Sequence, residues 1–313
     1  MAGRPERPLC VRSCIAVDIA LHPVADIADR LRAADVVVCV ASLHGDASEA
    51  NDAVSVLSDS ERERYESIVH PVLRRRFAIG RRILRETLGA ATDSVVLSPS
   101  LRSRAGEAKD LLVAGQKQVL RCAQDDNARN PIRPDHPVVI SLGAHGKPII
   151  VPSPGESYLG FSIAHADDML LLALRRDGDV GVDVERVRPI TQWQRVADRV
   201  FGPAERRALD EEVGEGADPA SAFLSRWCQV EAQLKAEGSG IAGLDAHRAG
   251  ERPPGLRVAT LHHIPTPRAI VGDARYLGAV ALCDRVPCNT RTISIAPSAA
   301  MVPTTSPATA SIA

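Results

Sequence analysis

Two carboxylates stand two residues apart in the segment Gly181-Val182-Asp183-Val184-Glu185. In an extended strand, successive side chains point to opposite faces. Asp183 and Glu185 therefore share one face, and Val182 and Val184 the other. Paired carboxylates repel each other unless a cation lies between them. Their hard oxygens suit Mg²⁺, which takes one or two carboxylates together with substrate phosphates. Further along, the run from Trp227 to Lys235 reads WCQVEAQLK, with Gly238 and Gly240 just beyond it. Glu231 and Lys235 are one helical turn apart and face the same side. Alone, the first pair reads as a solvated strand face, and the second as a surface ion pair worth about 0.3–0.5 kcal/mol. With a cation between its carboxylates, the strand pair is a candidate metal clamp for phosphate chemistry.

The elements that must carry these residues can be read from local patterns. The helix holding Glu231 and Lys235 starts at Asp218-Pro219, a capping residue followed by proline in the first turn. Phe223, Trp227, Val230 and Leu234 form its apolar stripe, so Trp227 reads as core, and Gly238 and Gly240 end it. MLLLALRRDGDVGVDVE reads as a hairpin turning at Asp177-Gly178. Upstream, VADIADRLRAA is a short amphipathic helix and VVVCVASL, after Asp35, a buried strand. Ser58 or Ser60 can cap a helix whose first turn holds Glu61 and Glu63. A second helix runs through LRRRFAIGRRILRETLG, with Gly89 as its stop. Helices are also expected around ITQWQRVADRVF and from FGPAERRALDEE, and a late strand at YLGAVALC.

Residues 1–34 read as an N-terminal extension. Residues 96–135 lack sustained periodicity and read as an insertion or loop. The Pro-, Ser-, Thr- and Ala-rich residues 287–313 read as a disordered tail. Between them lie residues 35–178 and 179–286, the second stretch carrying the acids.

Composition sets few limits. The chain is 45% apolar and 25% charged, as in ordinary soluble proteins. A formal net charge of −1 gives no global attraction to nucleic acid or membrane. No apolar run approaches the roughly 20 residues that span a bilayer. Asp18 interrupts the N-terminal CIAVDIAL run, against a signal peptide. The odd, scattered set of seven cysteines favours a reduced, cytoplasmic protein.

Four stretches belong together: Gly146-Lys147-Pro148, Phe161-Ser-Ile-Ala-His165, GVDVE, and the Trp227–Lys235 run with its glycines. Their order and spacing resemble the 4′-phosphopantetheinyl transferase superfamily, of the type that activates peptide and polyketide synthases. The resemblance covers roughly residues 35–285. It implies an α+β fold of two pseudo-symmetric halves with coenzyme A bound between them. It also implies Mg²⁺ on the pyrophosphate and an apo acyl or peptidyl carrier protein, a small acidic helical bundle, as partner. A carrier serine attacks the β-phosphate, and adenosine 3′,5′-bisphosphate leaves. Carried over by position, Asp183, Glu185 and Glu231 are the metal acids. Glu231 also accepts the serine proton, and Lys235 contacts the phosphates. His165 and Lys147 contact coenzyme A, and Arg76 and Arg62 are candidates for holding its 3′-phosphate. A monomer is expected.

The residue set suits that chemistry. Anionic groups meet in the transition state, so metal and cations are needed together. A serine hydroxyl needs a positioned base at neutral pH. Two positions depart from the family pattern. Val230 stands where a lysine is frequent, and Ala164 where a serine is frequent. They motivate a second reading, a coenzyme A- or carrier-binding protein with reduced or lost turnover. A third, a Mg²⁺-dependent hydrolase of nucleotide pyrophosphates, lacks a residue set for positioning water.

Overall fold

A computed structural model describes residues 15–24, 26–92, 140–150, 158–270 and 272–284. The expected insertion at 96–135 and the expected tail at 287–313 lie outside the described residues, as do residues 1–14. The described residues form three sheets. The first orders its strands β1 (Val17–Leu21), β2 (Val36–Ser42), β6 (Met169–Arg176) and β5 (Leu159–Ala166). The second orders β7 (Asp179–Arg186), β9 (Tyr276–Cys283) and β8 (Arg257–Leu261). Strands β3 (Ile140–Leu142) and β4 (Pro148–Ile150) form a small hairpin.

The two larger sheets repeat one plan. In each, a leading strand (β2, β7) runs antiparallel to the last strand (β6, β9). That last strand also pairs antiparallel with the one before it (β5, β8). A long helix separates leader and pair: α4 (Pro71–Ala91) in the first half and α7 (Pro219–Glu237) in the second. Shorter helices precede each. They are α2 (Ala47–Ser55) and α3 (Asp59–Ser67) before α4, and α5 (Trp193–Val200) and α6 (Pro203–Gly214) before α7. The architecture is α+β with two pseudo-symmetric halves, as expected.

Strand alternation explains the layers. Val36, Val38 and Val40 of β2 and Val180, Val182 and Val184 of β7 meet in one cluster between the sheets. The opposite face of β2, with Val37, Cys39 and Ala41, packs under α4 and α1 (Ile27–Ala33). The opposite face of the second sheet, with Ala279 and Ala281, meets Cys228, Ala232 and Ala236 of α7. The order is helix, sheet, sheet, helix.

Three expectations need correction. Residues 17–33 are not outside the fold, because β1 pairs in parallel with β2 and α1 lies between them in sequence. The boundary drawn at Asp35 therefore cuts a strand–helix–strand unit. Strands β6 and β7 do not form a hairpin about Asp177-Gly178. Both edges of β6 are already taken by β2 and β5, so β7 crosses into the other sheet. Arg175 secures the crossing by donating to the Asp179 carbonyl at 3.1 Å and the Cys283 carbonyl at 3.0 Å. Gly89 does not stop α4, which continues to Ala91.

Ser58 does cap α3, accepting from the Glu61 backbone N–H, and Glu61 reciprocates to the Ser58 N–H. That glutamate is also buried and paired with Arg81 and Arg85. Burial opposes its charge, but the two arginines outweigh it and hold the carboxyl below its usual range. No helix among the described residues is long and apolar enough to cross a membrane.

Candidate active site

The site begins with how closely α7 lies on β7. Asp218 caps the helix by accepting from the Ser221 N–H at 2.9 Å, and Pro219 fills the first helical position. Its stripe of Phe223, Val230 and Leu234, with Trp227 packed against it, faces α5 and α6. The opposite side is built of small residues. A side chain on Gly181 would overlap the Ala232 carbonyl and the Ala236 amide nitrogen. The glycine that opens GVDVE thus lets the helix touch the strand backbone. This close seat brings Glu231 and Lys235 over the same face of β7 that carries Asp183 and Glu185.

Lys235 sits at the centre. Its ammonium donates to Asp183 Oδ1 at 2.6 Å and to the Val182 carbonyl at 3.2 Å. It lies 3.8 Å from Glu231 Oε2. One cation therefore gathers an acid from the strand and an acid from the helix. Asp183 and Glu185 are only 7% and 3% exposed, so this strand face is covered by α7 rather than solvated.

Burial and mutual repulsion shape the charges. Burial raises the Asp183 carboxyl pKa, against the opposing pull of Lys235. Glu185 is pushed up to about 8, by burial first and then by Asp183; Glu231 adds, while Arg188 opposes. Glu231 is pushed up to about 7 by burial, with Asp183 adding and Lys235 opposing. Burial disfavours the Lys235 charge, but Asp183 and Glu231 outweigh it and raise its pKa. Three acids that hold protons too tightly, around one lysine, make a site short of positive charge.

That shortage bears on metal binding. Among the described residues, no group of three or more His, Cys, Asp or Glu side chains is preassembled around a metal position. Instead, the Lys235 ammonium stands between Asp183 and Glu231. The donors nonetheless fit a hard divalent cation. All are carboxylate oxygens, and Asp183 Oδ2 is buried with no hydrogen-bond partner among the described residues. Asp183, Glu185 and Glu231 are the residues that could hold such an ion.

The remaining candidates fall into two groups. His165, on β5, stands close enough to Lys235 and Arg76 to feel both charges. Burial, then Arg76, then Lys235 lower its pKa to about 4, so the imidazole is neutral at pH 7. Both ring nitrogens are buried without hydrogen-bond partners among the described residues. Arg76, on α4, reaches Asp168 Oδ1 at 2.7 Å in the turn just after His165.

The other two point elsewhere. Arg62 donates to the Val54 carbonyl at the end of α2. The Lys147 ammonium donates to Asp179 Oδ1 at 3.1 Å and to the Ala236 carbonyl at 2.8 Å. Val230 is buried in the helical core beneath α5 and α6, and Ala164 between the sheets, so both serve packing.

Two contributors escaped the sequence reading. Arg188 opposes the proton held by Glu185; its closeness in sequence to GVDVE was the available signal. The Cys228 thiol, which donates to the Leu277 carbonyl at 3.5 Å, lies near enough to Asp183 to favour its charged form, and nothing in its spacing announced that.

The comparisons agree with this geometry. A family model described as the 4′-phosphopantetheinyl transferase superfamily matches residues 179–275, the stretch holding β7 and α7. The chain is 28% identical over 198 residues to the 4′-phosphopantetheinyl transferase HetI of Nostoc sp., covering 63% of this chain and 66% of that protein. It is 35% identical over 103 residues to a putative 4′-phosphopantetheinyl transferase of Synechocystis sp., covering 33% of this chain and 41% of that one. It is 32% identical over 151 residues to the 4′-phosphopantetheinyl transferase AcpT of Salmonella typhimurium, covering 46% of this chain and 73% of that protein. The match thus spans just under two thirds of HetI, less than half of the Synechocystis protein and nearly three quarters of AcpT. With the acids of β7 and α7 gathered on one lysine, these matches place the chain in the 4′-phosphopantetheinyl transferase superfamily.

Proposed function

We propose that this chain transfers the 4′-phosphopantetheine group from coenzyme A to a serine of an apo acyl or peptidyl carrier protein. The observation that carries the reading is the meeting of Asp183, Glu231 and Lys235 at one point. Asp183, Glu185 and Glu231 would hold Mg²⁺. Bound there, the ion would neutralise pyrophosphate charge and polarise the β-phosphorus toward attack.

The chain's own residues do the rest. Glu231, with a carboxyl near neutrality, is matched to accept the serine proton. The serine oxygen bonds to the β-phosphorus as its bond to the bridging oxygen breaks. The electron pair leaves with adenosine 3′,5′-bisphosphate. Lys235 supplies positive charge beside the reacting phosphates. His165, neutral and with unpartnered ring nitrogens, can donate an N–H to a phosphate oxygen, and Arg76 adds charge beside it. Arg62, a weaker candidate, remains bonded to α2.

The test is direct. Purified protein, coenzyme A, Mg²⁺ and an apo carrier are incubated, and the carrier is weighed by mass spectrometry. Gain of one phosphopantetheine group is expected, and none after Mg²⁺ is chelated. A folded protein that modifies none of several carriers would overturn the reading. A binding protein without turnover is the second reading, favoured by the Lys235 ammonium standing where the acids would share an ion. It predicts calorimetric binding of coenzyme A with no product.

A further inference from the structure

Lys147 touches both elements that carry the candidate acids. Its ammonium bonds Asp179, the first residue of β7, and the Ala236 carbonyl in the last turn of α7. The Ala236 carbonyl is one of the four that a helix end leaves without an internal partner. A cation there also meets the negative end of the helix dipole. The lysine side chain is only 13% exposed. Tyr158 fixes the acceptor by donating its hydroxyl to Asp179 Oδ1 at 2.9 Å. The β3–β4 turn aims the lysine, with Gly146 at φ 79° and the Gly143 N–H bonded to the Lys147 carbonyl at 2.8 Å. Gly238, at φ 75°, leaves room for the lysine stem, since a Cβ there would come within 3.1 Å of Lys147 Cδ.

We infer that Lys147 is a positioning residue: it staples β7 to α7 from the first half and so sets the distance between Asp183 and Glu231. A single ammonium spans the two elements, and Ala236 directly follows Lys235 in sequence. The sequence had placed this lysine on coenzyme A, whereas its contacts place it on the scaffold. The catalytic consequence rests on the transferase reading; the staple itself does not.

Lys147→Met, Asp179→Ala and the double variant test it. If Lys147 is a staple, each single variant lowers kcat about tenfold to a hundredfold, the cost of a misplaced constellation. KM for coenzyme A stays within about twofold, and the preference for coenzyme A over its 3′-dephospho form is unchanged. The double variant loses little more than Lys147→Met alone, because the Asp179 contact has already gone with the lysine. A lysine that instead held the 3′-phosphate would raise KM and level that preference on Lys147→Met, while Asp179→Ala changed nothing; that result overturns the staple. Amide exchange needs no turnover. Residues 234–239 should exchange faster in Lys147→Met, and unchanged exchange there overturns the inference. A wild-type protein that transfers nothing would sink the transferase reading and leave the exchange result to decide the staple.

Discussion

The two halves share a plan and spend it differently. In the first, the helix-facing side of β2 is Val37, Cys39 and Ala41, all buried beneath α4 and α1. In the second, the helix-facing side of β7 is Gly181, Asp183 and Glu185, beneath α7. One leading strand is apolar on both faces. The other gives up packing on one face for buried carboxylates. The first half's charges sit instead within its helical layer, where Glu61 meets Arg81 and Arg85. The same framework therefore supports a packed core in one copy and a charged site in the other, at a cost in stability borne by the second.

The largest expected effects exchange these roles. Asp183→Ala should lower transfer on the order of 10³-fold while leaving a cooperative melt, read by the mass-gain assay and by circular dichroism. Cys39→Asp puts an unpaired carboxylate in the matching layer of the first half. It should cost about 4 kcal/mol of stability, read by urea unfolding. A mild loss there would deny that the first half depends on its apolar face.

Next comes the glycine contrast. A Cβ at Gly181 meets backbone of α7, but one at Gly80 of α4 meets only side-chain atoms of Leu43 and Leu170, at 3.4 and 3.7 Å. Gly181→Ala should cost about 2–3 kcal/mol by overpacking. Gly80→Ala should gain up to about 1 kcal/mol from helix propensity. Equal effects would erase the difference in how tightly the two helices are seated.

A smaller effect concerns pH. Glu185 has a folded pKa of about 8 against an ordinary 4.5, so the folded state binds the proton more tightly than the unfolded chain. The stability this proton confers is complete below the unfolded value. It is lost as pH rises through about 8. The metal-free protein should melt progressively lower as pH rises across that window. Glu185→Gln should flatten the slope, and Mg²⁺ should stabilise most at the alkaline end. A wild-type melt independent of pH would contradict the crowding of acids in the second half.

The smallest effect is a titration. His165 is neutral at a pKa of about 4, and a phosphate dianion beside it would favour its charged form. Coenzyme A should raise that pKa and draw a proton from solution, read by NMR of the imidazole. An unmoved His165 would remove it from the binding role.

What could be read from sequence follows from how local each cause is. The α7 cap, its stripe, its glycine end and the alternation of β7 are short-range patterns, and the structure reproduces them. The pairing of β6 and β7 was misjudged because a tight turn fixes where a chain reverses but not whether the edge it returns to is free. The N-terminal strand was missed because parallel pairing through a crossover leaves no turn signature. For the site, the grouping of Asp183, Glu231 and Lys235 was legible only through the resemblance of the motifs' order and spacing to a family, since each pair alone reads as a surface feature. The direction of Lys147 was not, since it depends on Tyr158, Asp179 and the end of a helix 89 residues away. The place of Arg62 was no more legible, because nothing in the acidic helix α3 announces the Val54 carbonyl it reaches.

The valine-lined seam where the sheets meet carries a consequence for how the chain holds together. Each sheet lends one entire side to it, so neither piece could be cut out at the Asp177-Gly178 crossing without baring that side to water. Severed fragments should clump when made separately and regain solubility only when produced together. On heating, the described body should show one calorimetric peak, with no step in which the acid-bearing half melts while its quiet counterpart stands.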